Sequence, residues 1–125
     1  MLTIEGLQRM GADTDDGLQR CMNDESFYLG LVDEVLRRDD YDKLKRALAD
    51  GDIKGAFETA HTMKGVYANL SLKSLYDPVS EITEKLRAAK NEAEDSETQE
   101  SAEAEYSEYT SRIGELLEAY RTLLE

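Results

Sequence analysis

Residues 60–75 read AHTMKGVYANLSLKSL and contain His61, the only histidine of the chain. Lys64 follows about one helical turn later, and Gly65 comes directly after it. On a wheel of about 100° per residue, His61 lies at the edge of an apolar arc, so we predict an amphipathic helix with an imidazole at its exposed rim. The arc consists of Ile53, Ala56, Phe57, Ala60, Met63, Tyr67 and Leu70.

The three residues at this rim suggest a chemical role. Glycine inside a helix is about 1 kcal/mol less favourable than alanine, yet Gly65 leaves the surface beside His61 bare for a reactive group on a second protein. Lys64 places a cation within reach of a charge on the ring, and neutral imidazole is a nucleophile at cellular pH. The pattern therefore predicts a site that accepts a phosphoryl group. The ordinary alternative is a surface histidine, a solvated lysine and a glycine that permits close helix packing.

The rest of the chain also indicates helices, because it has one proline, no tryptophan and few β-branched runs. The segment 2–10 reads as a short helix that stops at Gly11, and a short helical turn follows in DTDDGLQRCMN. Residues 24–38 and 41–49 are predicted as further helices, and Asp52 is predicted to cap the histidine helix. The apolar positions behind the later predictions are Phe27, Tyr28, Leu31, Val32, Val35 and Leu36, then Leu44 and Leu48.

Two helices are predicted after the histidine helix. The first has a three-four repeat of Leu72, Leu75, Val79, Ile82 and Leu86, with a helix start or kink expected near Tyr76–Asp77 because Pro78 follows. The last is a long closing helix marked by Tyr106, Tyr109, Ile113, Leu116, Tyr120 and Leu123.

These elements predict an all-α fold, an antiparallel four-helix bundle with short extra N-terminal helices and a long C-terminal helical hairpin. We interpret residues 1–125 as one domain, with N-terminal helical segments in 1–22 and the bundle in 24–125. The acidic segment near 91–105 is expected to join the last two helices, either as an exposed hairpin connection or as solvated helix ends.

Composition limits the partners. With 15 basic and 28 acidic residues, the net charge of −13 argues against nucleic acid and against an anionic membrane surface. No apolar run approaches the roughly 20 residues of a membrane span, and the N-terminus lacks the pattern of a signal peptide. The lone Cys21 cannot form an internal disulfide, which fits a reducing compartment. We expect a cytoplasmic protein, and a monomer.

The segment AHTMKGVYANLSLKSL resembles the signature of histidine-containing phosphotransfer (HPt) domains. That signature has an alanine-histidine pair, a lysine-glycine pair after two residues, then small residues and a leucine. His61, Lys64, Gly65 and Leu75 fall on its positions. The preceding LKRALADGDIKGAFET is similar to the leucine-rich helix and aspartate-containing turn of the family. Two positions depart from the pattern, since Ser71 replaces a usual glycine and Tyr67 is bulkier than the residue often found there.

The resemblance implies a four-helix bundle that relays phosphate between response-regulator receiver domains, or takes it from a sensor histidine kinase. His61 would be the phospho-acceptor, Lys64 would stabilise the phosphoryl group, and Gly65 would leave room for the partner. It also implies a phosphocarrier that is not an enzyme, with no cofactor of its own and Mg²⁺ on the receiver. Some members place a supporting polar residue on the next helix, for which Thr83 and Glu84 are candidates. The partner and the direction of flow stay open.

Other classes of protein fit less well. An acidic helical-bundle adaptor with an incidental histidine is the main alternative, but an adaptor has no reason to carry Lys64 and Gly65 beside that histidine. Glu58 and His61 form one Glu-x-x-His element, whereas di-iron bundles need two. A histidine kinase would need a nucleotide-binding loop, and a thiol enzyme using Cys21 would need an oxyanion arrangement; the sequence indicates neither.

Overall fold

The structure, a computed structural model, describes residues 1–92 and 100–125 of the chain. Within these residues the chain forms helices and no strand, which confirms the all-α prediction. The helices are α1 (Ile4–Arg9), α2 (Thr14–Arg20), α3 (Glu25–Leu36), α4 (Asp40–Ala49), α5 (Ile53–Asn69), α6 (Lys73–Glu92) and α7 (Ser107–Thr122). None of these described helices has both the length and the apolar character that crossing a membrane requires.

Each of the helices α4, α5 and α6 packs against the next helix along the chain. Helix α5 therefore contacts both α4 and α6, and α6 also contacts α7. The predicted arc of α5 is its buried face, because Ala56, Ala60 and Met63 have no solvent exposure. The predicted three-four repeat is fully buried as well, at Leu72 just before α6 and at Leu75, Val79, Ile82 and Leu86 within it. Burial of these two faces fixes the orientation of α5, and its remaining face points to solvent.

Both ends of α5 are set by local structure. Asp52 is its N-cap, as predicted, and its carboxylate accepts a hydrogen bond of 2.9 Å from the Gly55 N–H. The helix ends at Asn69, and Ser71 then adopts φ +55°, a left-handed conformation that glycine adopts with least strain. This conformation gives a physical reason why a glycine is usual at the position of Ser71.

The N-terminal helices attach to that same end of α5. The Tyr28 hydroxyl of α3 donates a 2.8 Å hydrogen bond to the Leu70 carbonyl, and the Asp13 N–H donates one of 2.9 Å to the Ser71 carbonyl. The Ser71 hydroxyl also donates to the Asp16 carboxylate of α2. The chain before α4 therefore anchors the turn that follows the histidine helix.

Two sequence predictions about helix positions are wrong in detail. A helix start near Tyr76–Asp77 is wrong, because α6 begins at Lys73 and continues through the buried Pro78, whereas the alternative of a kink at that place stays a prediction. Pro78 has no backbone N–H, so α6 lacks the hydrogen bond that this position would otherwise donate. Phe27 was placed in the apolar pattern of α3, but it is 55% exposed, because the packed face of this helix is formed by Tyr28, Val32 and Leu36.

The acidic segment near 91–105 is described only in part. Residues 91–92 end α6, and residues 93–99, which include most of the predicted connection, lie outside the described residues. Residues 100–106 precede α7 and are not helical. Ala102 is buried there, and its N–H donates a 2.8 Å hydrogen bond to the Leu48 carbonyl at the end of α4.

Candidate functional site

His61 lies on the outward face of α5 and is exposed to solvent. Its ring contacts the Phe57 ring one turn earlier, with 5.7 Å between ring centroids and an angle of 47° between the planes. Phe57 itself is buried at 8% exposure, so one edge of the imidazole rests against the core while the rest meets water. This is the rim position that the sequence predicted.

Gly65 follows one turn after His61, on the same face of α5. A Cβ built on Gly65 would meet no atom within 4 Å, so the surface beside the ring is open. Packing against another helix therefore does not require glycine at this position. The geometry therefore does not support the explanation that Gly65 permits close packing of two helices. It agrees with the explanation that Gly65 leaves an open approach to His61.

Lys64 forms an ion pair with Glu84 of α6 in this structure. Its Nζ lies 3.3 Å from Glu84 Oε1 on α6, and Arg87 Nε donates a 3.0 Å hydrogen bond to Glu84 Oε2. One carboxylate thus binds two cations across the contact of α5 with α6. The hydrogen bond from Arg87 and then that from Lys64 lower the pKa of Glu84 from its ordinary value.

The two candidates for a supporting residue on α6 differ in position. Thr83 is fully buried, and its hydroxyl donates a 2.6 Å hydrogen bond to the Val79 carbonyl, so it faces the core. Glu84 is exposed and lies next to Lys64. Tyr67, the bulky departure from the family pattern, is 4% exposed and packs in the core, so its size does not crowd the surface beside His61.

Sequence reasoning missed two further cations of α6. The Arg87 guanidinium carbon lies 4.9 Å from the centroid of the Phe57 ring, and Lys90 Nζ lies 4.8 Å from it. The Phe57 ring also contacts His61, so both cations lie against the same aromatic ring as the imidazole. The sequence shows how Arg87 and Lys90 are spaced along α6. It does not show how α6 is aligned along α5, and that alignment places the two cations over Phe57. Cations over an aromatic face are attracted by its electrons, which helps to hold them here.

The segment of the chain that contains His61 is less acidic than the chain as a whole. Residues 53–90 carry six basic and four acidic side chains, although the net charge of the protein is −13. A segment with a small excess of basic side chains repels an anionic group less than the rest of this acidic chain does. The charge pattern therefore agrees with the prediction of a site for a phosphoryl group.

Residues 1–92 and 100–125 contain no group of three or more His, Cys, Asp or Glu side chains able to hold a metal ion. Glu58 and His61 are both exposed and point away from the core, where a di-iron bundle places its ligands. Cys21 is buried at 4% exposure within the hydrophobic core, which is typical of a structural thiol.

The fold and the site together define an all-helical bundle protein with a solvent-exposed histidine on α5, the second of the four helices from α4 to α7. The family model of the Hpt domain matches residues 37–123, more than two thirds of the chain, and this range contains α4 to α7. The chain therefore belongs to the Hpt domain family, which carries out histidine phosphotransfer in phosphorelays. Comparisons with curated proteins and with solved structures gave no match.

Proposed function

We propose that this protein is a phosphorelay intermediate that carries the phosphoryl group on His61. The group would come from the aspartate of a receiver domain, or from a sensor histidine kinase, and would pass to another receiver. The observation that supports this most is the exposed imidazole beside a glycine with no atom near its Cβ position. A protein partner can therefore bring a reactive group to the ring without displacing side chains of α5.

The transfer is an in-line substitution at phosphorus. The unprotonated ring nitrogen of His61 attacks the phosphorus of an aspartyl phosphate, a nitrogen–phosphorus bond forms, and the bond to the aspartate oxygen breaks. The aspartate leaves as a carboxylate, and the other ring nitrogen keeps its proton during this step. Phosphoryl transfer depends mainly on positioning and charge stabilisation. In this chain Phe57 orients the ring by contact, and Lys64 is the cation nearest in sequence to the new charge.

The remaining requirements are assigned to the partner. The Mg²⁺ of the reaction is placed on the receiver domain, and this chain is assigned no metal and no cofactor. Without a partner, this chain would catalyse no reaction, as expected of a phosphocarrier. We place this function in the cytoplasm and expect a monomer to perform it, with no nucleic acid or membrane involved. The acidic charge outside residues 53–90 supports solubility of such a carrier.

The assignment of His61 is tested by incubating the protein with a phosphorylated receiver domain. Wild type should acquire an acid-labile phosphoryl group, and His61→Gln should abolish labelling while its circular dichroism and melting temperature stay close to wild type, because the side chain is exposed. Labelling that survives the substitution, or that resists acid as a phosphoester does, would contradict the proposal. Absence of labelling in the wild type, with every cognate receiver and kinase supplied, would favour the adaptor alternative.

A further inference from the structure

The contact of α5 with α6 contains a carboxylate, Glu84, that binds two cations near the candidate acceptor, Lys64 and Arg87. One carboxylate oxygen of Glu84 lies 3.3 Å from Lys64 Nζ, and the other lies 3.0 Å from Arg87 Nε. Among the ion pairs of residues 1–92 and 100–125, no other carboxylate bridges two basic side chains. This arrangement needs an explanation beyond helix packing, because the buried apolar faces already hold α5 against α6.

The bridge is solvated and therefore easily exchanged. The side chains of Glu84, Arg87 and Lys64 are 52%, 44% and 26% exposed. Ion pairs with this exposure contribute little to stability, because water and salt compete with them. These two ion pairs can therefore break when a group of greater negative charge comes close to Lys64 and Arg87.

A phosphoryl group on His61 would be such an anion. It brings about two negative charges near neutral pH and three oxygen acceptors. Lys64 lies one turn from His61 on α5, and Arg87 lies against the Phe57 ring that His61 contacts. Of the three cations near His61, Glu84 therefore binds two, Lys64 and Arg87, whereas Lys90 lies over the Phe57 ring without contacting Glu84.

We propose that Glu84 is an internal competitor of the phosphoryl group for Lys64 and Arg87. In the unmodified protein the carboxylate holds both cations, and after phosphorylation at least one of them turns to the phosphoryl oxygens. Phosphohistidine then gains less stabilisation than two free cations would give, so the group leaves readily to the next receiver. This inference rests on the proposed function, because it requires His61 to be the acceptor. It makes Glu84 a positioning residue that acts through the two cations.

The test compares Glu84→Gln with Glu81→Gln. Both substitutions remove one negative charge from an exposed position of α6, but only Glu84 contacts Lys64 and Arg87. The measurements are the equilibrium fraction of phosphohistidine with a phosphorylated receiver domain and the half-life of isolated phosphohistidine. Glu84→Gln should raise both by about two- to fivefold, the range of an exposed charge interaction. Glu81→Gln should leave both near wild type.

A second set of variants shows whether the effect passes through the cations. In a background of Lys64→Ala with Arg87→Ala, Glu84→Gln should no longer raise the fraction or the half-life. Equal effects of Glu84→Gln and Glu81→Gln, a gain that persists without the two cations, or a loss of phosphohistidine would each overturn the inference. A wild type that is not labelled on His61 would overturn the proposed function as well. A wild type that is labelled normally while Glu84→Gln has no effect would overturn this inference alone.

Discussion

Substitution of Gly65 should separate folding from function, because the two respond in opposite directions. The Cβ position of Gly65 is open, and its backbone lies inside α5 without a positive φ angle. Gly65→Ala should therefore stabilise the protein by about 1 kcal/mol, the difference in helix propensity. At this chain length that raises the melting temperature by about 4 °C. Gly65→Gln should give nearly the same gain, since glutamine is also a good helix former.

The same side chain should obstruct the partner. A glutamine at this position projects from the outward face of α5 beside His61, into the space that a docked receiver domain would fill. Extra atoms forced into a packed contact cost about 1–3 kcal/mol. We therefore expect Gly65→Gln to slow transfer from a phosphorylated receiver by about 5- to 150-fold. Phosphoramidate is small enough to pass the side chain, so any labelling by it should change far less.

Gly30 provides a matched control. It lies within α3, its Cβ position also has no atom within 4 Å, and α3 does not carry His61. Gly30→Gln should raise the melting temperature to a similar extent and leave phosphotransfer at the wild-type rate. The reasoning is refuted if Gly65→Gln unfolds the protein, because glycine is then required for packing. It is also refuted if receiver transfer with Gly65→Gln equals that with Gly30→Gln.

Three other predictions follow from the structure. Lys64→Ala should shorten the phosphohistidine lifetime or slow transfer with little change in melting temperature, since the lysine forms only a partly exposed ion pair; unchanged kinetics would make it simple surface charge. Ser71→Ala should be less stable than Ser71→Gly by about 1 kcal/mol in urea unfolding, because alanine retains the cost of the left-handed backbone, and equal stabilities would contradict this. Burial raises the pKa of Tyr28 and of Tyr67 to about 12 from an ordinary 10.0. The unfolded chain therefore loses these protons first, and the free energy of unfolding should fall as the pH rises from 10 to 12; a flat profile in that window would refute the assignment.

Phe27 is an example of a residue whose burial cannot be predicted from the sequence periodicity alone. Periodicity marks residues that share a side of a helix, and in α3 it grouped Phe27 with Tyr28 and Val32. Whether a residue at the edge of such a group is covered depends on which neighbouring helix lies beside it. Tyr28 and Val32 are fully buried, whereas Phe27 is left 55% exposed.

The helical class, the buried faces of α5 and α6 and the rim position of His61 could all be predicted from the amino-acid sequence. These follow from local rules, since a helical period and a cap such as Asp52 act within a few residues. Which side chains meet across the contact of α5 with α6 could not be predicted in this way and is known from the packed structure. The pairing of Lys64 with Glu84 joins residues twenty positions apart. It depends on the register of two helices, which packing of the whole core sets and no local pattern encodes.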